Sequence, residues 1–127
     1  MKTVQDVYNI FFELLKGSTP VFRQSYPDTQ PPDEFYVINT LGVPADPIQT
    51  IEVNVNCYAK DANINSGIPD LVKLDTMTKN VIDKLHGFQV YTCNEVHIAF
   101  QRMIILREPN LNMHYNNLRF QLIYLNN

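Results

Sequence analysis

The chain has no tryptophan, only four glycines and two cysteines among its 127 residues, and no long apolar run. A membrane-spanning helix needs roughly 20 consecutive apolar residues, so none is predicted. The sequence also has no glycine-rich phosphate loop, no nucleophile motif and no closely spaced set of metal ligands. We therefore expect no cofactor, no metal site and no enzymatic activity.

The charge balance is weakly acidic, with a net charge of −3 and an isoelectric point near 5.5. A protein that holds nucleic acid by its phosphates needs a positive surface, so we do not expect nucleic acid to be a main partner. Asp6 and Glu13 interrupt the apolar pattern near the N-terminus, which is unlike a secretory signal, and cytosolic synthesis is expected. Hydrophobic residues make up 45% of the chain, which predicts one globular domain over residues 1–127.

The two cysteines, Cys57 and Cys93, both lie in stretches that are predicted to be strands. A disulfide between them is geometrically possible, but nothing in the sequence signals one. In a reducing compartment we expect two small, buried, reduced side chains.

The first amphipathic segment predicts a helix over residues 4–16. Thr3 is placed as its N-cap, with Asp6 three residues later. Apolar residues then recur at helical spacing, and Gly17 is the expected left-handed residue at the C-terminal end.

A second helix is predicted to begin near Ile68 and to end at Gly87, with Asp70 near its positive end. Asp75 and Lys79 are spaced to form a surface ion pair. The expected buried stripe consists of Leu71, Leu74, Thr78, Val81, Ile82 and Leu85.

Short strands are predicted over residues 21–25, 35–41 and 88–92, the second of them buried on both faces. Between the first two lies a proline-rich loop (residues 26–34), which cannot be a central strand. The clearest period of two places Ile51, Val53, Val55, Cys57 and Ala59 on a core face.

The last third predicts two strands joined as a long hairpin, with residues 107–114 as the loop between them. Arg102 interrupts the first strand, which indicates either a β-bulge or an arginine whose aliphatic stem packs inward. The residues expected to share one parity on that strand are Val96, Ile98, Phe100, Ile104 and Leu106. Those on the other strand are Leu118, Phe120, Leu122 and Tyr124. The chain is thus predicted to be an α+β protein, with an antiparallel or mixed sheet of about five to six strands and two helices on one face.

Candidate chemistry is sparse. His86, His97 and His114 lie at a helix end, in a strand and in a loop, without the spacing of a zinc site. The aspartates Asp61, Asp70, Asp75 and Asp83 do not share a helical face. The three arginines of the last hairpin could contact phosphate, but a polar sheet face or a subunit contact explains them equally well.

The order of elements resembles that of the tail-completion, or tail-terminator, proteins of long-tailed bacteriophages and their prophages. Along nearly the whole chain, an amphipathic helix precedes a short strand with a proline-bearing loop, an FYVI strand (residues 35–38) and an alternating strand that ends in YAKD (residues 58–61). A second helix after Gly67 and a strand pair that closes with LRFQL (residues 118–122) complete the pattern.

The resemblance implies a non-enzymatic structural protein of the virion tail or neck, assembled in the host cytoplasm. Such a protein forms a homo-oligomeric ring, typically hexameric, which binds the tail-tube protein on one side and the head–tail connector protein on the other. No catalytic residue is implied. A head-to-tail ring needs two different contact surfaces on each subunit, and loops and open strand edges can supply them.

We expect the contacts in the proline-rich loop, in the asparagine-rich loop (residues 62–66) and in the last hairpin. The candidate interface residues are Tyr26, Pro27, Asp28, Gln30, Asp61, Asn63, Asn65, Arg102, Arg107 and Arg119. Two alternatives stay open: another head–tail connector or minor tail protein, and a module that binds a small ligand or peptide in a pocket between helices and sheet.

Overall fold

The computed structural model describes residues 2–63, 65–90 and 94–126. Its elements are α1 (Val4–Leu15), β1 (Val21–Arg23), β2 (Glu34–Thr40), β3 (Ile48–Lys60), α2 (Leu71–Leu85), β4 (Gln89–Val90), β5 (Asn94–Glu108), a 3₁₀ turn (Pro109–Leu111) and β6 (Met113–Asn126). The described strands form one mixed sheet in the order β1-β2-β3-β6-β5-β4. The pairing of β1 with β2 is parallel and the other pairings are antiparallel. The predicted α+β class is confirmed.

The centre of the sheet is the long antiparallel pair of β3 and β6, whose alternating residues divide its two faces. Gln49, Ile51, Val53, Val55, Cys57 and Ala59 of β3 are buried on the face that both helices cover. The same core includes Val7, Phe11 and Leu15 of α1, Leu74, Val81 and Leu85 of α2, and Leu118, Phe120 and Leu122 of β6. The placement of two helices on one face is therefore as predicted.

The first helix has the predicted capping box. The Thr3 hydroxyl accepts from the Asp6 N–H at 3.2 Å, and the Asp6 carboxylate accepts from the Thr3 N–H at 2.9 Å. The predicted C-terminal end is wrong, because the helix ends at Leu15 and Lys16 is its C-cap in a non-helical conformation. Gly17 does not adopt a positive φ.

The second helix begins three residues later than predicted, at Leu71, with Asp70 as N-cap through a 3.1 Å hydrogen bond from the Lys73 N–H to its carboxylate. Leu71 is 62% exposed rather than part of the buried stripe, because it is the first helical residue and lies at the end of the covered core. Met77 is buried in that stripe, and the predicted pair of Asp75 and Lys79 is present at 2.9 Å. After the C-cap, Gly87 has a φ of +80°, which a glycine adopts without steric penalty.

Several strand boundaries differ from the sequence prediction, those of β2 by one residue at each end. β1 ends at Arg23, because Gln24 turns the chain with a φ of 72°. The last hairpin is longer than expected, since β5 continues to Glu108 and β6 starts at Met113. A 3₁₀ turn and left-handed Asn112 suffice to join them.

A β-bulge interrupts β5 where Arg102 was predicted to disturb the pattern. Phe100 is paired with Phe120 but Arg102 with Arg119, so Gln101 is the extra residue. One inserted residue moves all later side chains to the opposite faces. The predicted common parity is therefore wrong beyond the bulge: Ile104 and Leu106 lie on the face opposite to Phe100.

Cys57 is a free, fully buried thiol, and burial raises its pKa far above the ordinary range for cysteine. Cys93 lies outside the described residues, as does Ile64 in the asparagine-rich loop. No helix of the described ranges is long and apolar enough to cross a membrane.

Candidate interaction surfaces

The proline-rich loop folds back over the sheet face that the helices leave open. Tyr26 makes edge contacts with Phe35 and Tyr58, at centroid distances of 6.0 and 5.7 Å. Phe35, Tyr58 and Tyr115 stack across three strands, with centroids 4.6 and 4.5 Å apart. Val37 and Met113 complete this second core. The loop is therefore anchored by its first residue, and its following residues lie at the surface.

Burial raises the pKa of Tyr58 well above its usual range, and burial with the nearby Glu108 carboxylate raises the pKa of Tyr26 and of Tyr115. Glu108 thus contributes negative potential at this end of the molecule. Sequence reasoning did not identify the second core, because Tyr58 falls on the polar parity of its strand. An aromatic residue at an otherwise polar position was the available signal.

A cleft of about 360 Å³ opens between the proline-rich loop and the tip of the last hairpin. Its walls are residues 26–33 and 110–113 together with Lys60. The predicted interface residues Pro27, Asp28 and Gln30 all line it. Asp28 and Gln30 are exposed, and Pro27 is half-buried.

Asp61, which directly precedes the asparagine-rich loop, is deeply buried, unlike the described residues of that loop. The Asp61 side chain is 1% exposed and its Oδ1 lies 2.6 Å from His114 Nδ1. Its Oδ2 is buried and has no hydrogen-bond partner among the described residues. Asn63 and Asn65 are exposed, with the Asn63 side-chain oxygen accepting from the Asn65 N–H at 3.0 Å. The asparagines can contact a partner directly, whereas the aspartate holds the loop to β6.

The three candidate arginines do not form one cluster. Arg102 and Arg119 are cross-strand neighbours on the open face. Arg119 is half-buried and lies 3.4 Å from Glu52, whereas Arg102 is exposed. Arg107 is on the helix face, where a Cβ at Gly67 would lie 3.1 Å from its Nη2. Arg102 and Arg107 thus lie near the two ends of the same exposed stretch of β5.

That stretch is an open strand edge. Up to Phe100 the outer side of β5 is occupied, by β4, by residues 87–88 and by His86, whose Nδ1 accepts from the Phe100 N–H at 2.9 Å. Beyond the bulge no described strand follows. Successive residues of a strand direct their N–H and C=O groups alternately to one side and to the other. Beyond the bulge, the N–H and C=O groups of Met103, Ile105 and Arg107 point away from β6, outward from the sheet edge.

Four consecutive apolar side chains occupy this edge, and we call them the β5 strip. Their exposed fractions are 53% for Met103, 52% for Ile104, 43% for Ile105 and 39% for Leu106. Pairing with β6 places Met103 and Ile105 on the helix face, and Ile104 and Leu106 on the open face. The sequence prediction missed the strip, since the expected parity assigned Ile104 and Leu106 to the core.

A separate apolar groove of about 470 Å³ lies between α1 and the β4–β5 end of the sheet. Ile10, Leu14, Phe88, Val90 and Val96 form its apolar walls. Three polar residues also line the groove. Glu13 pairs with Lys16 at 2.6 Å and the Lys2 ammonium lies 5.0 Å from the Tyr124 ring centroid, whereas Asn9 is exposed at the groove.

The histidines are held by different partners: His86 by the Phe100 N–H, His97 beside Glu95 at 3.7 Å, and His114 by Asp61. Within residues 2–63, 65–90 and 94–126, no group of three or more His, Cys, Asp or Glu side chains could hold a metal ion.

Comparison with known proteins gives a structural match but no sequence match. No family model and no curated protein sequence matches the chain. Among solved structures, a chain of the "Virion of native gene transfer agent (GTA) particle" superimposes with a TM-score of 0.61 at 14% sequence identity. The match covers 96% of this chain and 91% of that chain. At this identity the similarity shows a shared fold over nearly the full length of both chains.

Proposed function

We propose that the chain is a non-enzymatic structural subunit of a phage or prophage virion. It forms a homo-oligomeric ring, hexameric in the tail-terminator arrangement, that caps the tail tube and joins it to the head–tail connector. The fold shared with a virion chain supports a role in a particle. The single observation that carries a role in assembly is the β5 strip, an uncovered apolar strand edge. The site of action is then the tail or neck of a virion assembled in the host cytoplasm.

The energetics of the strip favour assembly with several contacts. The exposed fractions of its four side chains add up to the surface of about two complete side chains. Burying one large aliphatic side chain contributes about 1.5–3 kcal/mol. The gain of about 3–6 kcal/mol is at or below the 4–15 kcal/mol that association costs in lost translational and rotational freedom. A single strip contact is therefore weak. Ring closure and contact with the tube add the remaining stabilisation.

The test is the solution mass of the purified protein by light scattering over a range of concentrations, with and without the tail-tube protein encoded in the same phage or prophage. We expect a ring-sized species at high concentration or in the presence of the tube protein. A chain that remains monomeric at high concentration and does not bind the tube protein contradicts the proposal. Ile104→Lys, within the strip, should abolish assembly. The matched control Leu41→Lys should not, because Leu41 is 85% exposed but lies in the β2–β3 turn, away from the strip.

The groove beside α1 supports a second candidate, a module that binds a small apolar ligand or peptide. Its apolar walls favour such a ligand, and the engagement of Glu13 and Lys2 elsewhere argues against a polar one. A ligand screen by thermal shift with Leu14→Lys as the matched variant distinguishes the two roles. Stabilisation of the wild type but not of the variant, combined with a monomeric mass, would favour the binding module.

A further inference from the structure

We propose that the β5 strip docks on a second copy of this chain, in the cleft beneath that copy's proline-rich loop. Ile104 and Leu106 enter the cleft, and Arg102, which projects from the same face, lies against the acidic residues of the loop. Arg107, on the helix face, flanks the contact at the other end of the strip. The inference rests on the proposed ring, for which it names the two surfaces that meet. The strip lies on β5, and the cleft lies between the proline-rich loop and the tip of the hairpin that follows β5.

The charges of the two surfaces are opposite. Residues 101–108 include two arginines and one acidic residue, Glu108, whereas residues 26–34 include Asp28, Asp33 and Glu34 and no basic residue. Lys60 is the one basic residue among the described residues that line the cleft. Neither arginine has an ion-pair partner among the described side chains. In the loop, Asp33 lies 3.9 Å from Lys60 and Glu34 lies 3.2 Å from Lys73, which leaves Asp28 as the acidic residue without a partner in the described part of the chain. Complementary charge sets the orientation of such a contact and disfavours the wrong pairing.

The spacing and the volume of the Ile104 and Leu106 side chains also match the cleft. Ile104 and Leu106 project from the same face two residues apart, which places them roughly 7 Å from each other along the strand. At about 30 Å³ per water-sized group, a four-carbon side chain occupies on the order of 100 Å³, so the cleft of about 360 Å³ admits both. The cleft walls include apolar Pro27, Leu111 and Met113.

Both surfaces occur once on each chain and are different from each other, which is what a heterologous contact requires. The chain's own strip does not fill its own cleft. The hairpin tip that follows β5 forms one wall of the cleft, yet the four side chains of the strip remain exposed. A second copy is therefore the occupant that both surfaces fit.

The experiment exchanges the charges. A strip variant carries Arg102→Glu with Arg107→Glu, and a loop variant carries Asp28→Lys with Asp33→Lys; all four side chains are exposed, so both variants should fold. The association of each variant and of their equimolar mixture is measured by sedimentation velocity under the conditions in which the wild type assembles. We expect each variant alone to associate at least tenfold more weakly than the wild type. The mixture should recover assembly, because the acidic strip of one variant meets the basic loop of the other and the reverse contact is also complementary.

A matched control replaces acidic residues outside the loop, with Asp46→Lys and Asp83→Lys, both exposed. This control should assemble alone and should not rescue the strip variant. If the wild type assembles but the mixture of strip and loop variants does not, the inference is overturned while the ring remains. If the wild type neither assembles nor binds the tube protein, the proposed function falls, and a second copy is not the occupant.

Discussion

The buried pair of Asp61 and His114 should make a large contribution to the stability of the hairpin end. The Asp61 carboxylate is 1% exposed and the His114 side chain is 13% exposed, with 2.6 Å between Oδ1 and Nδ1. His114→Ala removes the one hydrogen-bond partner that the described structure gives to this carboxylate, since Oδ2 has none. An isolated buried carboxylate is strongly disfavoured.

The expected loss follows from the burial of the group. Removal of one partner from a buried pair costs about 3–5 kcal/mol, because the remaining group stays desolvated. We expect the free energy of unfolding to decrease by an amount at or near that range. The measurement is urea denaturation followed by far-ultraviolet circular dichroism, because the chain has no tryptophan to serve as a fluorescence signal. A simultaneous replacement, Asp61→Leu with His114→Leu, should recover most of the loss, since two apolar groups of similar size leave nothing unpaired.

The matched control is His86→Ala. His86 is exposed and accepts one hydrogen bond from the Phe100 N–H at 2.9 Å. Its loss should reduce stability by about 0.5–1.5 kcal/mol, the usual contribution of such a hydrogen bond. Should His114→Ala and His86→Ala cost the same, the carboxylate has another partner or is solvated, and the reasoning from burial is refuted.

Three further predictions concern single sites. Thr3→Ala should lower the free energy of unfolding by about 1 kcal/mol through loss of the capping box, and Thr3→Ser should restore it, as denaturation curves can check. Gly87→Ala should destabilise by about 1 kcal/mol or more because its φ is +80°, whereas Gly42→Ala should have little effect, since a Cβ there meets nothing within 4 Å. In a Cys93→Ser background, Cys57 should react with a thiol reagent only when denaturant unfolds the chain, because burial raises the pKa of its thiol; rapid labelling of the native protein contradicts that burial.

Much of the fold was accessible from the sequence because local signals agreed with tertiary structure. The capping box of Thr3 and Asp6, the alternation of β3 and the order of elements each have a local physical cause. The parity of the last part of β5 was not local information. A bulge at Arg102 was one of the two alternatives that the sequence left open, and its effect on later residues depends on the pairing with β6.

The sequence alone only partly distinguished the exposed from the buried residues among the candidate interface residues. A polar residue in an asparagine-rich loop is ordinarily exposed, and nothing local distinguishes Asp61 from Asn63. The burial of Asp61 is caused by His114, which is 53 residues away in the chain. Likewise, Tyr26 was expected at a contact surface, yet it anchors the proline-rich loop on Phe35 and Tyr58. Long-range partners decide such cases, and one sequence does not contain them.

The β5 strip is an apolar strand edge with a charged residue at each end, and this arrangement bears on the proposed assembly. An open apolar strand edge promotes uncontrolled pairing, and proteins usually protect such edges with charge, proline or a bulge. Here the protection is confined to the ends of the strip: Arg102 with the bulge on one side and Arg107 on the other. The four residues between them remain apolar and exposed. An edge that functioned only in an isolated monomer would gain from a charge in its centre. The distribution of charge along β5 is therefore the one that the proposed assembly requires, an apolar centre to be covered between charged ends that set the register of the contact.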